Sequence, residues 1–273
     1  MYPYGITMSQ PNDYGGSMKN ESSVDSYAYI VDEYMEDSMD DDYENSSPVF
    51  LPTSIQTIDD SQWGDETALV FDLDETGIHT LFDIESLLRL NILKDPSYSY
   101  LRSRIMILDF YNDNGDLSDN QMWTIKRPHI DTFLNWATKA ITYIIVWSAG
   151  KGHYVNRTVH GLFTDAGHPY PAAVLSREDC YTIGDDRTKP LDLLYEKLPW
   201  LVGRVKRKNM VLLDDREYNF IMNDGRGLLI EPYEPKPTIK SIEANDTQLL
   251  NAIVCLKRRF GDLLNNVPVR PNY

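Results

Sequence analysis

Three short apolar runs, each ending in a hydroxyl or carboxylate side chain, constrain this chain more than any other feature. Ala68-Leu69-Val70-Phe71 ends in Asp72, Tyr143-Ile144-Ile145-Val146-Trp147 ends in Ser148, and Met210-Val211-Leu212-Leu213 ends in Asp214-Asp215. Unbroken apolar runs of this length suit strands covered on both faces, as in a parallel sheet. Helical stripes lie between and after them. Ile130, Phe133, Leu134 and Ala137 share one helical face, as do Val155, Val159, Leu162 and Phe163. Leu249, Ile253, Leu256 and Phe260 form a third stripe, with Asp246 or Thr247 placed to cap its start and Gly261 its end. Strands alternating with helices predict an α/β fold with a doubly wound parallel sheet. In such sheets ligands bind beyond the carboxyl ends of the strands, which is where these polar residues fall.

The first run carries the most chemistry. It continues as Asp72-Leu73-Asp74-Glu75-Thr76. Alternate residues of an extended segment point the same way, so Asp72 and Asp74 are presented together. Two carboxylates at one strand end repel unless a cation or a shared proton intervenes. A carboxylate oriented in this way is a competent nucleophile when a metal balances its charge. Asp74 can protonate a leaving oxygen and later accept a proton from water. Ser148, followed by Ala149-Gly150 and a helix, makes a phosphate cradle of hydroxyl and free amides. Lys189 can supply a cation to phosphoryl oxygens. Asp214 and Asp215 can complete a hard-oxygen site for Mg²⁺ with Asp72. Taken singly, each of these has a bland reading as a turn, a cap or a solvated lysine.

Charge divides the chain. Residues 1–60 hold 13 acidic residues and one basic residue, a net of −12, whereas the rest holds 29 acids and 25 bases, a net of −4. The N-terminal segment has no sustained apolar periodicity and is expected to be disordered. Its seven tyrosines suit docking or phosphorylation, and a merely solubilising tail is an equal reading. Residues 61–273 are expected to form the folded domain. Leu81–Asn120 reads as an insertion near the site mouth, starting with a helix over Ile84, Leu87 and Leu88. It continues into a hairpin at Asn112-Asp113-Asn114-Gly115. The acidic balance argues against nucleic acid as a partner, and the Arg204, Lys206, Arg207, Lys208 cluster reads as a solvated loop. Cys180 and Cys255 have no metal-ligand spacing and point to a reducing interior. No apolar run is long enough for a membrane span, and no secretory signal is visible at the N-terminus.

The order and spacing of these pieces resemble the haloacid-dehalogenase superfamily. They are similar, more narrowly, to its FCP/SCP-like phosphatases of the RNA polymerase II C-terminal domain. Asp72-Leu73-Asp74-Glu75-Thr76 with Ile78-His79 resembles the family signature. Lys126-Arg127-Pro128 with Phe133-Leu134, Trp147-Ser148-Ala149-Gly150, Ser176-Arg177-Glu178-Asp179-Cys180, Thr188-Lys189-Pro190-Leu191 and Leu213-Asp214-Asp215 resemble its later motifs. The resemblance covers roughly residues 65–262. It implies a Rossmann-like parallel sheet with helices on both faces. It also implies an aspartyl-phosphate mechanism, with Asp72 as nucleophile and Asp74 as acid and base. Thr76, Ser148, Lys189 and Arg177 are placed around the phosphate. Mg²⁺ is held by Asp72, the Asp74 backbone carbonyl, and Asp214 or Asp215. The substrate implied is a phosphoserine or phosphothreonine protein or peptide, and the location implied is the nucleus or cytoplasm. Gly77, His129, Pro190 and Arg216-Glu217 depart from the family pattern, as does Asn223-Asp224-Gly225-Arg226-Gly227, without removing a catalytic group. Other readings are a phosphatase for nucleic-acid ends or small phosphoesters, and a catalytically silent binding module. Retention of Asp72, Asp74, Ser148, Lys189 and Asp214 argues against the last.

Overall fold

The structure, a computed structural model, describes residues 63–81, 84–111, 117–184 and 186–266. The acidic N-terminal segment and the Asn112–Gly115 turn lie outside the described residues. In chain order the first elements are strands β1 (Ala68–Phe71) and β2 (Ile78–Leu81), helix α1 (Ile84–Arg89), and strands β3 (Ile105–Tyr111) and β4 (Leu117–Lys126). Helix α2 (Ile130–Ala140), strand β5 (Tyr143–Trp147), helix α3 (Gly152–Val159) and strands β6 (Ala173–Leu175), β7 (Tyr181–Ile183) and β8 (Asp186–Thr188) follow. The last are helix α4 (Leu194–Lys197), strands β9 (Met210–Asp214) and β10 (Gly227–Leu229), and helices α5 (Ile239–Glu243) and α6 (Gln248–Phe260).

The main sheet has five strands in the order β10-β9-β1-β5-β6, every pair parallel. Its strands are apolar at successive residues because both faces are covered. Leu69 and Phe71 of β1 face a core built with Phe133 and Leu134 of α2, Val155 and Val159 of α3, and Leu249 and Leu256 of α6. Ala68 and Val70 face a second core with Leu191, Leu194, Tyr195 and Leu201. The expected layer architecture, helices on both faces of a parallel sheet, is the one observed. Among the described residues no helix is long and apolar enough to cross a membrane.

Register is what builds the site. Phe71 pairs with Val146 on one side and Leu213 on the other. The three apolar runs therefore end level, and Asp72, the Trp147-Ser148 step and Asp214 emerge at one edge. The chain moves outward from β1 to β5 and β6 on one side, and to β9 and β10 on the other. β1 is thus the switch point at which such sheets bind ligands.

The insertion is larger than the sequence pattern suggests. β2, β4 and β3 form a separate antiparallel sheet, so the excursion starts at Ile78 and ends at Lys126. It carries its own small core of Leu87, Ile92, Leu101, Trp123 and Ile125, closed by Tyr233 and Ile242 from the C-terminal part. Ile78-His79 and Lys126-Arg127 are its two roots, which ordinary alternation over four residues in β2 conceals. The β7–β8 hairpin is equally silent in the sequence, since three-residue strands carry almost no periodicity.

Two departures from the family pattern, His129 and Gly77, have distinct local surroundings. His129 is left-handed, with φ of 65°, a conformation in which glycine is unstrained. Its ring lies against Asn245, Nε2 to Oδ1 at 3.2 Å. Gly77 faces the Phe71 ring, and a Cβ there would lie 2.6 Å from Phe71 Cζ and 3.3 Å from Ile130 Cδ1. The large ring at 71 occupies the space that a side chain at 77 needs. Gly77→Leu is expected to destabilise by about 1–3 kcal/mol through overpacking. The double variant with Phe71→Leu is expected to recover part of that loss in a urea-denaturation cycle; additive losses would show that the two positions do not share one space.

Candidate active site

Asp72 is the first residue past β1, and its amide donates to Leu213 O at 3.1 Å. Its side chain is buried and held at both oxygens. Lys189 Nζ donates to Oδ1 at 2.5 Å, and the Thr76 hydroxyl lies 3.4 Å from Oδ2. The same ammonium donates to Asp214 Oδ2 at 2.7 Å. Thr76 is fully buried and donates to Asp215 Oδ1 at 3.1 Å. Its hydroxyl is thus engaged with the carboxylates of Asp72 and Asp215. Carboxylate oxygens of Asp72, Asp214 and Asp215 all come within 4.8 Å of one another.

Asp74 stands apart from that cluster. Tyr154 Oη donates to Oδ1 in a short hydrogen bond, and Ser148 Oγ donates to Oδ2 at 3.3 Å. Tyr154 lies in turn 2.7 Å from Thr80 Oγ1, which lies 3.1 Å from Thr124 Oγ1. A chain of buried hydroxyls thus runs from the insertion sheet to Asp74. Ser148 also accepts from Gly150 N at 2.9 Å, which folds the loop back on itself. A Cβ on Gly150 would lie 2.7 Å from the Tyr154 ring, so the loop approaches α3 too closely for any side chain there. Arg177 braces this loop from behind. Its Nε donates to Ala149 O and its backbone amide to Gly150 O, both at 2.8 Å.

The electrostatics follow from burial. Four carboxylates, Asp72, Asp74, Asp214 and Asp215, face one ammonium, Lys189, a deficit of three charges if all are ionised. Burial pushes the Asp72 carboxyl well above its usual range against the pull of Lys189, and the Asp214 charge pushes it further. Burial also raises Asp74, against the hydrogen bonds from Tyr154 and Ser148. Asp215 is pushed up to about 6, first by burial and then by Asp214. Burial alone would lower Lys189, but Asp214 and Asp72 outweigh it and hold the ammonium charged. A cluster of hard oxygens short of positive charge fits a divalent cation.

The structure brings Asp72, Asp74, Thr76, Ser148, Lys189, Asp214 and Asp215 to one sheet edge. Arg177 stands behind the Ser148 loop. Sequence reasoning missed three supporting residues. Tyr154 lies one position before Val155, outside the α3 stripe, and nothing in the sequence marks it as a partner of Asp74. Asn219 donates from Nδ2 to Asp214 Oδ1 at 2.8 Å. Asn223 donates to Lys189 O at 2.9 Å and accepts from Leu191 N at 2.7 Å, which fixes the backbone around the lysine. Asp214 and Asn219 are five positions apart, a spacing with no meaning until the turn after β9 is known.

No curated protein matches this chain. Among solved structures it is similar to a single-site variant of the fission yeast RNA polymerase II CTD phosphatase Fcp1 bound to beryllium fluoride. There the identity is 20%, with 73% of this chain and 51% of that one covered and a TM-score of 0.48. It is similar also to Fcp1 described as an essential RNA polymerase II CTD phosphatase, at 20% identity, 76% and 56% coverage and a TM-score of 0.47. The chain spans about half the length of these Fcp1 structures. The family model of the NLI interacting factor-like phosphatases matches residues 67–267, and this chain belongs to that family.

Proposed function

We propose that this protein is a Mg²⁺-dependent phosphoserine/phosphothreonine protein phosphatase that works through an aspartyl-phosphate. The observation that carries the reading is the split between the two aspartates at the end of β1. Asp72 lies in the charge-deficient cluster with Asp214 and Asp215. Asp74 is held outside it by Tyr154 and Ser148. One carboxylate is thus set to attack and the other to carry a proton.

Bound by Asp72, Asp214 and Asp215, Mg²⁺ would neutralise charge on the nucleophile and on the transferring phosphoryl group. Asp72 Oδ attacks phosphorus as the bond to the serine or threonine oxygen breaks. Asp74, protonated, gives its proton to that leaving oxygen, and burial favours this protonated form. Asp74 then takes a proton from water as the water attacks phosphorus, releasing phosphate and restoring the Asp72 carboxylate. Lys189 holds Asp72 and Asp214 in place and puts positive charge beside the phosphoryl oxygens.

The test is phosphate release from p-nitrophenyl phosphate and from a phosphoserine peptide, with Mg²⁺ and with EDTA. Activity on both, lost in EDTA, is the expected result. Activity on the small ester alone would point to another phosphoester substrate, and activity retained in EDTA would remove the metal from the account. Saturating Mg²⁺ is also expected to raise Tm, by the equivalent of about 2.7 kcal/mol at a hundredfold excess over Kd.

A further inference from the structure

We propose that Arg127 is a positioning residue for the catalytic loop, fixing Asp74 by holding the carbonyls of the residues that follow it. The inference rests on the reading of Asp74 as the proton donor. Glu75, the next residue, is left-handed with φ of 56°. A non-glycine residue in that region persists only where its surroundings over-determine it. Here they do. Glu75 O accepts from Tyr233 N at 2.7 Å and from Arg127 Nη1 at 3.3 Å. Thr76 O accepts from the same Nη1 at 3.0 Å, and Gly77 O accepts from the Arg127 backbone amide at 2.9 Å. One residue therefore grips three consecutive carbonyls.

The other face of the guanidinium is anchored as firmly. Nη2 donates to Glu231 O at 2.7 Å, and both Nε and Nη2 reach Asp246 Oδ2, at 3.0 and 2.8 Å. All three nitrogens of the guanidinium donate to an acceptor. The Tyr233 ring packs against it at 5.5 Å. The side chain is wholly buried, and its hydrogen bonds and ion pair go to the carbonyls and to Asp246 rather than to Asp72, Asp214 or Asp215. Asp246 Oδ1 accepts from Gln248 N at 2.8 Å, so the grip reaches the first turn of α6. A lysine has three donors at one point and cannot reproduce a planar fork spread over carbonyls and a carboxylate.

A misplaced acid costs most when the leaving group most needs a proton. The informative quantity is therefore the ratio of kcat/KM on phenyl phosphate to that on p-nitrophenyl phosphate, whose leaving group is far less basic. A variant that is partly unfolded lowers both rates equally and leaves the ratio alone. Arg127→Lys is expected to lower the ratio by about tenfold, part of the range that acid catalysis supplies. Asp246→Asn, which keeps the arginine and weakens its anchor, is expected to lower it in the same direction by less. Asp74→Asn serves as the reference and is expected to lower it most. An unchanged ratio in Arg127→Lys would overturn the inference, and Asp246→Asn decides the matter should that variant not fold. An unchanged ratio in Asp74→Asn would instead overturn the acid assignment beneath it.

Discussion

Asp72→Asn is expected to abolish turnover, lowering kcat by on the order of 10⁴ to 10⁶, as loss of a nucleophile does. The amide cannot form the acyl-phosphate, and no neighbouring group replaces it: Asp74 is bound to Tyr154 and Ser148, and Asp214 to Lys189 and Asn219. The same change is expected to raise Tm in EDTA. The ionised Asp72 carboxylate is disfavoured by burial and by Asp214, and a neutral isostere removes that penalty. The sign of the pH dependence follows. A carboxyl whose folded pKa is raised stabilises the fold below its unfolded value, and that stability is lost as pH rises through the folded value. For Asp215 the window runs from 3.8 to about 6. The metal-free wild type is therefore expected to lose Tm as pH rises across that window. Asp72→Asn is expected to lose less as pH rises, because one raised carboxyl is gone. A Tm in EDTA that falls on substitution, with an unchanged pH profile, would contradict the charge-deficient site.

Lys189→Met is expected to be the most destabilising single change in the site, by about 3–5 kcal/mol in EDTA. The ammonium is buried between Asp72 and Asp214, and its removal leaves two carboxylates facing each other without a cation. Mg²⁺ is expected to restore part of the stability, because it occupies the same electrostatic role, but not the activity. Adding Asp72→Asn is expected to recover part of the loss without metal, since one of the two unpaired charges goes with it. Chemical denaturation of the two single variants and the double variant, each with and without Mg²⁺, measures this coupling. A Lys189→Met protein as stable as wild type in EDTA would show that the lysine does not balance these charges.

The parts legible in the sequence are those where burial on both faces writes a continuous apolar run. β1, β5 and β9 are visible for that reason, and their shared register turns three strand ends into one site. α2, α3 and α6 are visible by their stripes. At the start of α6, Thr247 occupies the cap position without a side-chain bond, and Asp246 supplies one to Gln248 N instead. What the sequence conceals is depth and partnership. Nothing beside Lys189 indicates that it is buried, since its neighbours are a three-residue strand and a proline. Arg127 is visible as part of a motif, but its function as a clamp depends on Glu231, Tyr233 and Asp246, more than a hundred residues away. Tyr154 belongs to a helix whose apolar face hides it, and its hydroxyl's contact with Thr80 depends on the distant insertion sheet.

The most direct measurement is to quench the enzyme during turnover of p-nitrophenyl phosphate with Mg²⁺, reduce it with borohydride, and map the product by peptide mass spectrometry. An aspartyl-phosphate is reduced to homoserine, whereas a free carboxylate is not. The account predicts homoserine at position 72, dependent on substrate. Phosphate release with no homoserine, or with homoserine at another aspartate, would contradict it.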